Sequence, residues 1–425
     1  MNKIMFAGAK IWDASGSAPF DGDVLVQDNR IAAVSRAPGQ LPQSGCQVVD
    51  GSGMTLMPGL VEGHMHLSFE AVTRSEDLTL VPPEEHTLLT ARQAKLMLDH
   101  GFTSCHSGAS AKLRLEIAVR NEVNAGRLPG PRIRAATPEI TVSGGLGDEN
   151  MLHYPRPSFA LIADGVDEMT KLVRICCREG VDNVKLNVSG DPFLPGCPGE
   201  ATPMSQREID AAIEVAHAFG RTVNVHARST EAIKRSLKGG ADVLYHCEYA
   251  DEEALDMLEA AKDRILVAPT VSLFHTMLFE ASPFGMTKEI ARGMGMQRLL
   301  EWSQKTHTEL RKRGIRHVIG GDYGFAWSRH GTNARDLGFF IQYFGYSPAE
   351  ALKCATRNGG ALMMIGRDEK LGEIKEGYLA DLLLVDGDPL TDVSLLLNPD
   401  RLAVIMKNGE LYKNAAGGVQ RRAAA

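Results

Sequence analysis

Short apolar runs alternate with longer amphipathic segments through the middle of the chain. The runs read NVKLNV, TVNVHA, DVLYH, ILVAPT and HVIGGD, and each contains polar residues. Two of the segments between them open with a capping box, at Ser205–Glu208 and at Ser347–Glu350. A third, TEAIKRSLKGG, ends in Gly239 and Gly240. Strand-like runs that alternate with helices predict βα units and a parallel sheet.

Both ends of the chain have a different sequence pattern from the middle. They consist of short β-type runs broken by Gly, Asp and Asn, such as GDVLVQDNRIAAV and RLAVIMKNGELYKN. We therefore predict an α/β protein: a (β/α)8 TIM barrel over residues 58–365 with a small β-sandwich domain formed by residues 1–57 and 366–415. Residues 416–425, rich in Ala and Gly, are predicted to be a disordered tail.

Composition narrows the class of protein. The chain has 425 residues, a formal net charge of −7, 44% hydrophobic residues and 23% charged residues, which is typical of a globular protein. The mild acidity and the lack of a basic run exclude nucleic acid as an expected partner. No run reaches the roughly 18 apolar residues of a membrane helix, and the N-terminal apolar run is too short for a signal peptide. Seven cysteines without C-x-x-C spacing favour reduced thiols, so we expect a cytoplasmic protein.

Two histidines lie one residue apart in the stretch PGLVEGHMHLSFE. Because side chains alternate along a strand, Leu60, Glu62, His64 and His66 share one face. The carboxyl ends of barrel strands carry the active sites of this architecture. An H-x-H pair there suits a divalent metal, although buried or surface histidines without a ligand are an equally good interpretation of the pair alone.

Later strands end in the same kind of residue. His226 lies on the polar face of one apolar run, His246 closes another, and Asp322 follows VIGG. Lys185 alternates with the apolar residues of its run, so it is expected to point into the barrel. An unpaired ammonium inside a barrel is costly. Lys185 becomes a metal ligand if carbon dioxide converts its neutral amine to a carbamate, and a depressed pKa favours that reaction. The alternative is a salt bridge from Lys185 to a nearby carboxylate.

The order of these motifs resembles a known family. PGLVEGHMH, VKLNVSG, VHA, YHCE and GGDYG resemble the amidohydrolase superfamily of metal-dependent hydrolases, and GEIKEGYLADLLLVDGDP resembles its C-terminal signature. GDYGFAWSRHGTNARDL, GPRI and SGGLGD are similar to the branch that contains Xaa-Pro dipeptidases, ochratoxinase, and molinate and phenylurea hydrolases.

The resemblance implies a metal centre with six ligands: His64, His66, Lys185, His226, His246 and Asp322. In that family pattern His64, His66 and Asp322 hold one divalent ion and the other two histidines hold a second. N6-carboxylated Lys185 and a hydroxide bridge the two ions. The hydroxide attacks a carbonyl, and Asp322 acts as general base and then general acid for the leaving nitrogen. Zinc is the default metal, with manganese, cobalt and iron left open.

Three positions depart from the family pattern. Glu62 stands where aspartate is usual, Arg228 where tyrosine follows H-A, and Leu146 where histidine is frequent. Arg228 is predicted to stabilise an oxyanion or grip a carboxylate, with a structural salt bridge as the alternative. Leu146 favours an apolar substrate. The predicted substrate contacts are Arg228, Leu146, His153, Trp327 and His330.

These expectations combine into one functional prediction. The chain is predicted to be a homo-oligomeric (tetrameric or octameric) binuclear-metal hydrolase that cleaves a C–N bond of an amide, peptide-like, urea or carbamate substrate. The substrate is expected to be a small, partly apolar molecule. The alternatives are a mononuclear deaminase on the same fold, a lactonase or phosphotriesterase-like esterase, and an inactive scaffold that has kept the ligand positions.

Overall fold

The computed structural model describes residues 3–193 and 196–416, so the predicted tail lies outside the described residues apart from Ala416. Its strands are β1 (Lys3–Ile11), β2 (Phe20–Gln27), β3 (Arg30–Ser35), β4 (Gln47–Asp50), β5 (Thr55–Pro58), β6 (Leu60–Met65), β7 (Phe102–Ser107), β8 (Arg132–Arg134), β9 (Ile140–Thr141), β10 (Leu161–Ile162), β11 (Asn183–Asn187), β12 (Thr222–Ala227), β13 (Val243–His246), β14 (Leu266–Ala268), β15 (Leu382–Val385), β16 (Leu402–Lys407) and β17 (Glu410–Asn414).

Helices follow most of the central strands. They are α1 (Asp77–Leu80), α2 (Pro83–Asp99), α3 (Leu115–Asn124), α4 (Gly165–Glu179), α5 (Gln206–Ala218), α6 (Thr230–Gly239), α7 (Glu252–Ala260), α8 (Val271–Phe279), α9 (Lys288–Gly293), α10 (Met296–Lys312), α11 (Arg335–Phe344), α12 (Pro348–Lys353) and α13 (Gly359–Met363). A π-helical turn, Cys354–Asn358, joins α12 to α13. Within the described ranges, no helix is long and apolar enough to cross a membrane.

The predicted helix ends are confirmed. Ser205 and Ser347 each accept a hydrogen bond from the backbone of a glutamate three residues later, whose carboxylate bonds back to the serine backbone. α6 ends at Gly239, and Gly240 has a left-handed φ of 93° that a residue with a Cβ rarely adopts. Local sequence chemistry therefore determines where these helices begin and end.

Strands from the two chain ends form one eight-stranded sheet. Its order is β17-β16-β15-β5-β1-β2-β3, with β4 paired to β1. β5 joins the two halves because it pairs in parallel with β1 and antiparallel with β15. Buried side chains from both halves, including Phe6, Leu56, Leu384 and Val404, form a shared hydrophobic cluster. The boundaries predicted for this β domain stay a prediction.

The central strands form two parallel sheets, as the alternation of strands and helices predicted. One sheet has the order β6-β7-β8 and the other β10-β9-β11-β12-β13-β14. Burial on both faces accounts for the short apolar runs, since every residue of β11, β12 and β13 is buried. The parallel arrangement brings the carboxyl ends of these strands to one side.

Single bridges connect the two sheets. Ala136 pairs with Asn183 beyond β8, and Val267 of β14 pairs with His317. The Gly63 backbone N–H of β6 donates to the Ile319 carbonyl at 2.9 Å. The run HVIGGD thus makes isolated contacts with neighbours on both sides and no regular ladder, so the described sheets do not form one continuous closed barrel. The fold is TIM-barrel-like α/β.

Candidate active site

Side chains from β6 and from the loop after His317 converge at the strand ends. The Nε2 atoms of His64 and His66 lie 3.3 Å apart. Asp322 Oδ1 lies 2.9 Å from His66 Nε2 and 3.8 Å from His64 Nε2. Ligand atoms of His64, His246 and Asp322 all lie within 4.8 Å of one another. The His226 ring centroid is 4.2 Å from that of His246, which extends the cluster. The geometry can hold a cation among nitrogen and carboxylate donors.

Hydrogen bonds orient the imidazoles from behind. His66 Nδ1 donates to the Ala109 carbonyl at 3.0 Å, and His226 Nε2 donates to the Gly190 carbonyl at 3.0 Å. Each bond fixes the tautomer and leaves the other ring nitrogen as a free electron-pair donor. His246 Nε2 is buried and has no hydrogen-bond partner among the described residues. A buried imidazole nitrogen without a partner fits a metal ligand.

Backbone strain marks two of these residues. His246 has φ of 78° and Asp322 has φ of 60°, both in the left-handed region that residues other than glycine rarely adopt. Thr270, whose hydroxyl bonds His246 Nδ1 at 2.7 Å, also has a left-handed φ of 55°. Because strand alternation ends at such residues, periodicity alone does not determine where His246 and Asp322 point.

Burial sets the protonation of the cluster. It lowers the pKa of His64, His226 and His246 well below the ordinary value, and nearby positive charges lower it further. Burial would raise the pKa of Asp322, but His64 and His66 hold it well below its usual range. At neutral pH the site therefore presents neutral imidazoles and a carboxylate, which are the protonation states that metal binding requires.

Lys185 lies beside this cluster, against the ring of Tyr245. The sequence alone did not indicate this contact. Lys185 is 1% exposed, and burial lowers its pKa. Its Nζ lies 4.8 Å from the ring centroid of Tyr245, whose other neighbour is His64, stacked at 3.7 Å between centroids. The Tyr245 hydroxyl accepts a hydrogen bond from Asn224 at 3.1 Å. Tyr245 thus supports both a histidine and the lysine of the site.

The cluster opens into a pocket of about 240 Å³. Part of its wall is aromatic: the rings of Phe193, Phe325 and Trp327 lie almost parallel, with centroids 6.2 and 5.6 Å apart. Phe69 packs against His66 at 4.5 Å between centroids and continues the wall towards the cluster. Such a surface favours an apolar or aromatic group beside the reacting atoms.

The predicted substrate contacts separate into two groups. Leu146 and Trp327 line the pocket. His330 does not, because its Nε2 donates to the carbonyls of His66 and Phe69 at 3.0 Å and the ring lies 7% exposed behind them. His153 is exposed and is not part of the pocket wall.

Arg228 is also absent from the pocket wall. It is 1% exposed, and its Nε and Nη1 donate to Asp191 at 2.7 Å and to Glu248 at 3.0 Å. Burial alone would lower the pKa of Arg228, but the two carboxylates raise it above the ordinary value. The structure thus favours the salt-bridge alternative, because the guanidinium is engaged with two carboxylates.

A buried group of histidines and a carboxylate at the strand ends of a TIM-barrel-like fold is typical of metal-dependent enzymes. A sequence model of the Amidohydrolase family matches residues 55–412. The chain belongs to the amidohydrolase family, and it is a hydrolytic enzyme that acts on C–N bonds.

Individual relatives agree with the predicted branch. Ochratoxinase from Aspergillus niger is 26% identical over 436 residues, which cover 98% of this chain and 87% of the relative. The crystal structure of a Xaa-Pro dipeptidase with bound methionine in its active site has a TM-score of 0.86 and 26% identity, covering 97% of this chain and 100% of the other. Molinate hydrolase, at 19% identity and a TM-score of 0.76, covers 100% of this chain and 99% of its own and shares the fold.

Proposed function

We propose that this protein is a binuclear-metal hydrolase that cleaves the amide C–N bond of a small, peptide-like substrate with an apolar or aromatic group. The observation that carries the proposal is the buried cluster of His64, His246 and Asp322 in a pocket whose wall is partly aromatic. The ochratoxinase and dipeptidase relatives support an amide substrate.

The residues present fit two divalent ions, with zinc as the default metal. His64, His66 and Asp322 would hold one ion, and His226 and His246 the other. Such ions supply a water nucleophile at neutral pH and polarise the scissile carbonyl. The amine of Lys185, which its lowered pKa makes available in neutral form, would attack carbon dioxide and release a proton, leaving a carbamate whose oxygens could act as metal ligands.

Asp322 would move the proton during turnover. Its carboxylate is ionised beside His64 and His66, so it would be available to accept a proton from the attacking water. The leaving nitrogen needs that proton to depart as an amine, and Asp322 would return it. Arg228 is proposed to keep Asp191 and Glu248 in place behind the histidines rather than to bind the carbonyl oxygen.

The domain bounds, the oligomeric state and the cellular location are also proposed. The barrel is proposed to span 58–365 and the β domain 1–57 with 366–415, and the enzyme is proposed to be a homo-oligomer in the cytoplasm. A mononuclear deaminase on the same fold is the second candidate, because it needs the histidines and Asp322 but no bridging group from Lys185.

Replacing Lys185 tests the two-metal site. We expect elemental analysis of the metal-supplemented protein to find two ions per chain, and Lys185→Ala to lose at least one of them. Hydrolysis of a panel of Xaa-Pro dipeptides, N-acyl amino acids, ochratoxin-like amides and phenylureas should fall by roughly a hundredfold or more. The control is Lys234→Ala, which removes a lysine that is 7% exposed and paired with Asp251 and Glu253. A single ion per chain in the wild type that Lys185→Ala retains, with activity unchanged, would favour the deaminase.

A further inference from the structure

Five carboxylates line the active-site pocket, and four of them have a basic partner. Glu76, Glu149 and Asp191 pair respectively with Arg74, Arg156 and Arg228, and Asp322 contacts the imidazoles of His64 and His66. The fifth is Glu139. Within the described ranges, no Lys, Arg or His nitrogen lies within 4 Å of its carboxylate.

Glu139 is held in place by an amide instead of a cation. Asn187 Nδ2 donates to Glu139 Oε2 at 2.5 Å and to the Leu146 carbonyl at 3.0 Å. The residue is 9% exposed and precedes β9, whose Ile140 pairs with Leu186 of β11. This register places Glu139 next to Lys185, and both side chains line the pocket. A largely buried carboxylate that faces a pocket is costly unless a cation reaches it.

Lys185 itself does not neutralise Glu139. The two side chains line the same pocket, yet among the described residues no ion pair forms between them. If Lys185 is carboxylated, as the proposed function requires, it becomes an anion. The carboxylate of Glu139 is then left facing the pocket with no counter-charge from the described chain.

We propose that Glu139 binds a protonated amino group of the substrate, next to the scissile carbonyl, and so selects aminoacyl amides or dipeptides with a free α-amine over N-acylated amides. An α-amino nitrogen is one carbon away from the scissile carbonyl, and Glu139, just before β9, lines the same pocket as Lys185. The side chain of that amino acid would lie against Phe193, Phe325 and Trp327. The inference rests on the proposed function, whose substrate class it narrows.

Paired ligands that differ only in acetylation test this selection. The first readout is calorimetric binding of L-phenylalanine and N-acetyl-L-phenylalanine to the metal-loaded protein at pH 7. The second is kcat and KM for dipeptides with a free or an acetylated amine. We expect the free amine to be preferred by about tenfold to a hundredfold in both, as is usual for a charge-assisted contact. In Glu139→Gln the free and the acetylated ligands should bind and react almost equally, mainly because KM for the free amine rises.

The variants are chosen to keep the local structure. The side-chain amide introduced by Glu139→Gln retains an oxygen that accepts the Asn187 hydrogen bond, so the substitution removes the charge and little else. Glu149→Gln is the matched control, because Glu149 also lines the pocket but is paired with Arg156 at 3.2 Å, and it should keep the preference.

The outcomes separate the two proposals. Equal binding and turnover of free and acetylated ligands, or an unchanged preference in Glu139→Gln, overturns the role of Glu139 even if the enzyme hydrolyses amides. Preferential binding of the free amine that disappears in Glu139→Gln supports that role even if no amide is hydrolysed, and in that case the proposed function fails alone.

Discussion

Buried charges next to the candidate metal centre form a network in which each member depends on the others. Arg228 bridges Asp191 and Glu248, and burial raises the pKa of Glu248 to about 7. Asp191 also lies 3.7 Å from His226 Nε2, so the network contacts a predicted metal ligand directly. A single change in such a network leaves a charge without its partner, which costs more than the pair contributes.

Removing Arg228 should therefore destabilise the fold. We expect Arg228→Met to lower the free energy of unfolding by about 3–5 kcal/mol, because Asp191 and Glu248 lose their buried counter-charge. Urea unfolding followed by circular dichroism measures the change. The triple variant with Asp191→Asn and Glu248→Gln should recover much of the loss. A cost below about 1 kcal/mol in Arg228→Met would contradict a buried ion network.

The pairing of β6 with β7 brings a glycine against the two histidines of the H-x-H motif. The Gly108 N–H donates to the Met65 carbonyl at 2.6 Å just past the end of β7. A Cβ at Gly108 would lie 2.2 Å from His64 Cδ2 and 3.1 Å from His66 Cε1. These distances are shorter than van der Waals contact, so the position requires glycine for close approach rather than for backbone freedom.

A methyl group at Gly108 should displace the histidines. We expect Gly108→Ala to lose bound metal and hydrolytic activity together, because His64 and His66 must move away from Asp322. Elemental analysis and a substrate assay measure the two effects. The control Gly338→Ala lies in α11, where a Cβ meets nothing within 4 Å, and it should keep full metal content. The free energy of unfolding of Gly338→Ala should rise by roughly 0.5–1 kcal/mol, because alanine has the higher helix propensity. Full metal content in Gly108→Ala would show that the histidines move without loss of the site.

At the scale of the whole molecule, buried acids couple global stability to pH. Glu116 lies in the first turn of α3, is fully buried, and has its pKa raised to about 8 by burial, although nearby hydrogen-bond donors oppose the rise. From its ordinary value of 4.5 up to about 8, the folded state retains a proton that the unfolded state has released. Stability therefore falls as pH rises through this window and levels off above it.

Glu116→Gln should remove this part of the pH dependence. The difference in unfolding free energy between variant and wild type should grow in favour of the variant by about 4 kcal/mol from pH 5 to pH 9. Urea unfolding across that range measures it, and the exposed Glu214→Gln serves as the control. A difference that stays constant with pH would mean that Glu116 titrates alike in both states.

Much of the fold could be predicted because its signals are local. Capping boxes at Ser205 and Ser347 and the glycine after α6 determined helix ends, and strand alternation predicted the parallel sheets. The run HVIGGD was predicted as a strand and makes only isolated bridges. Its Gly320 and Gly321 pack against His64 and Ser272, respectively, a contact between distant segments that no local pattern contains.

By itself, the sequence determined which residue types lie at the strand ends. It thereby predicted that His64, His66, Lys185, His226, His246 and Asp322 would converge at the carboxyl ends of parallel strands. Only the tertiary structure decided what surrounds them. It engaged Arg228 with two carboxylates, placed Tyr245 beneath His64, and left Glu139 facing the pocket without a basic partner in the described chain. The physical reason is that periodicity along one strand determines the direction of a side chain. Its neighbours come from other strands, whose register and loops are decided by packing.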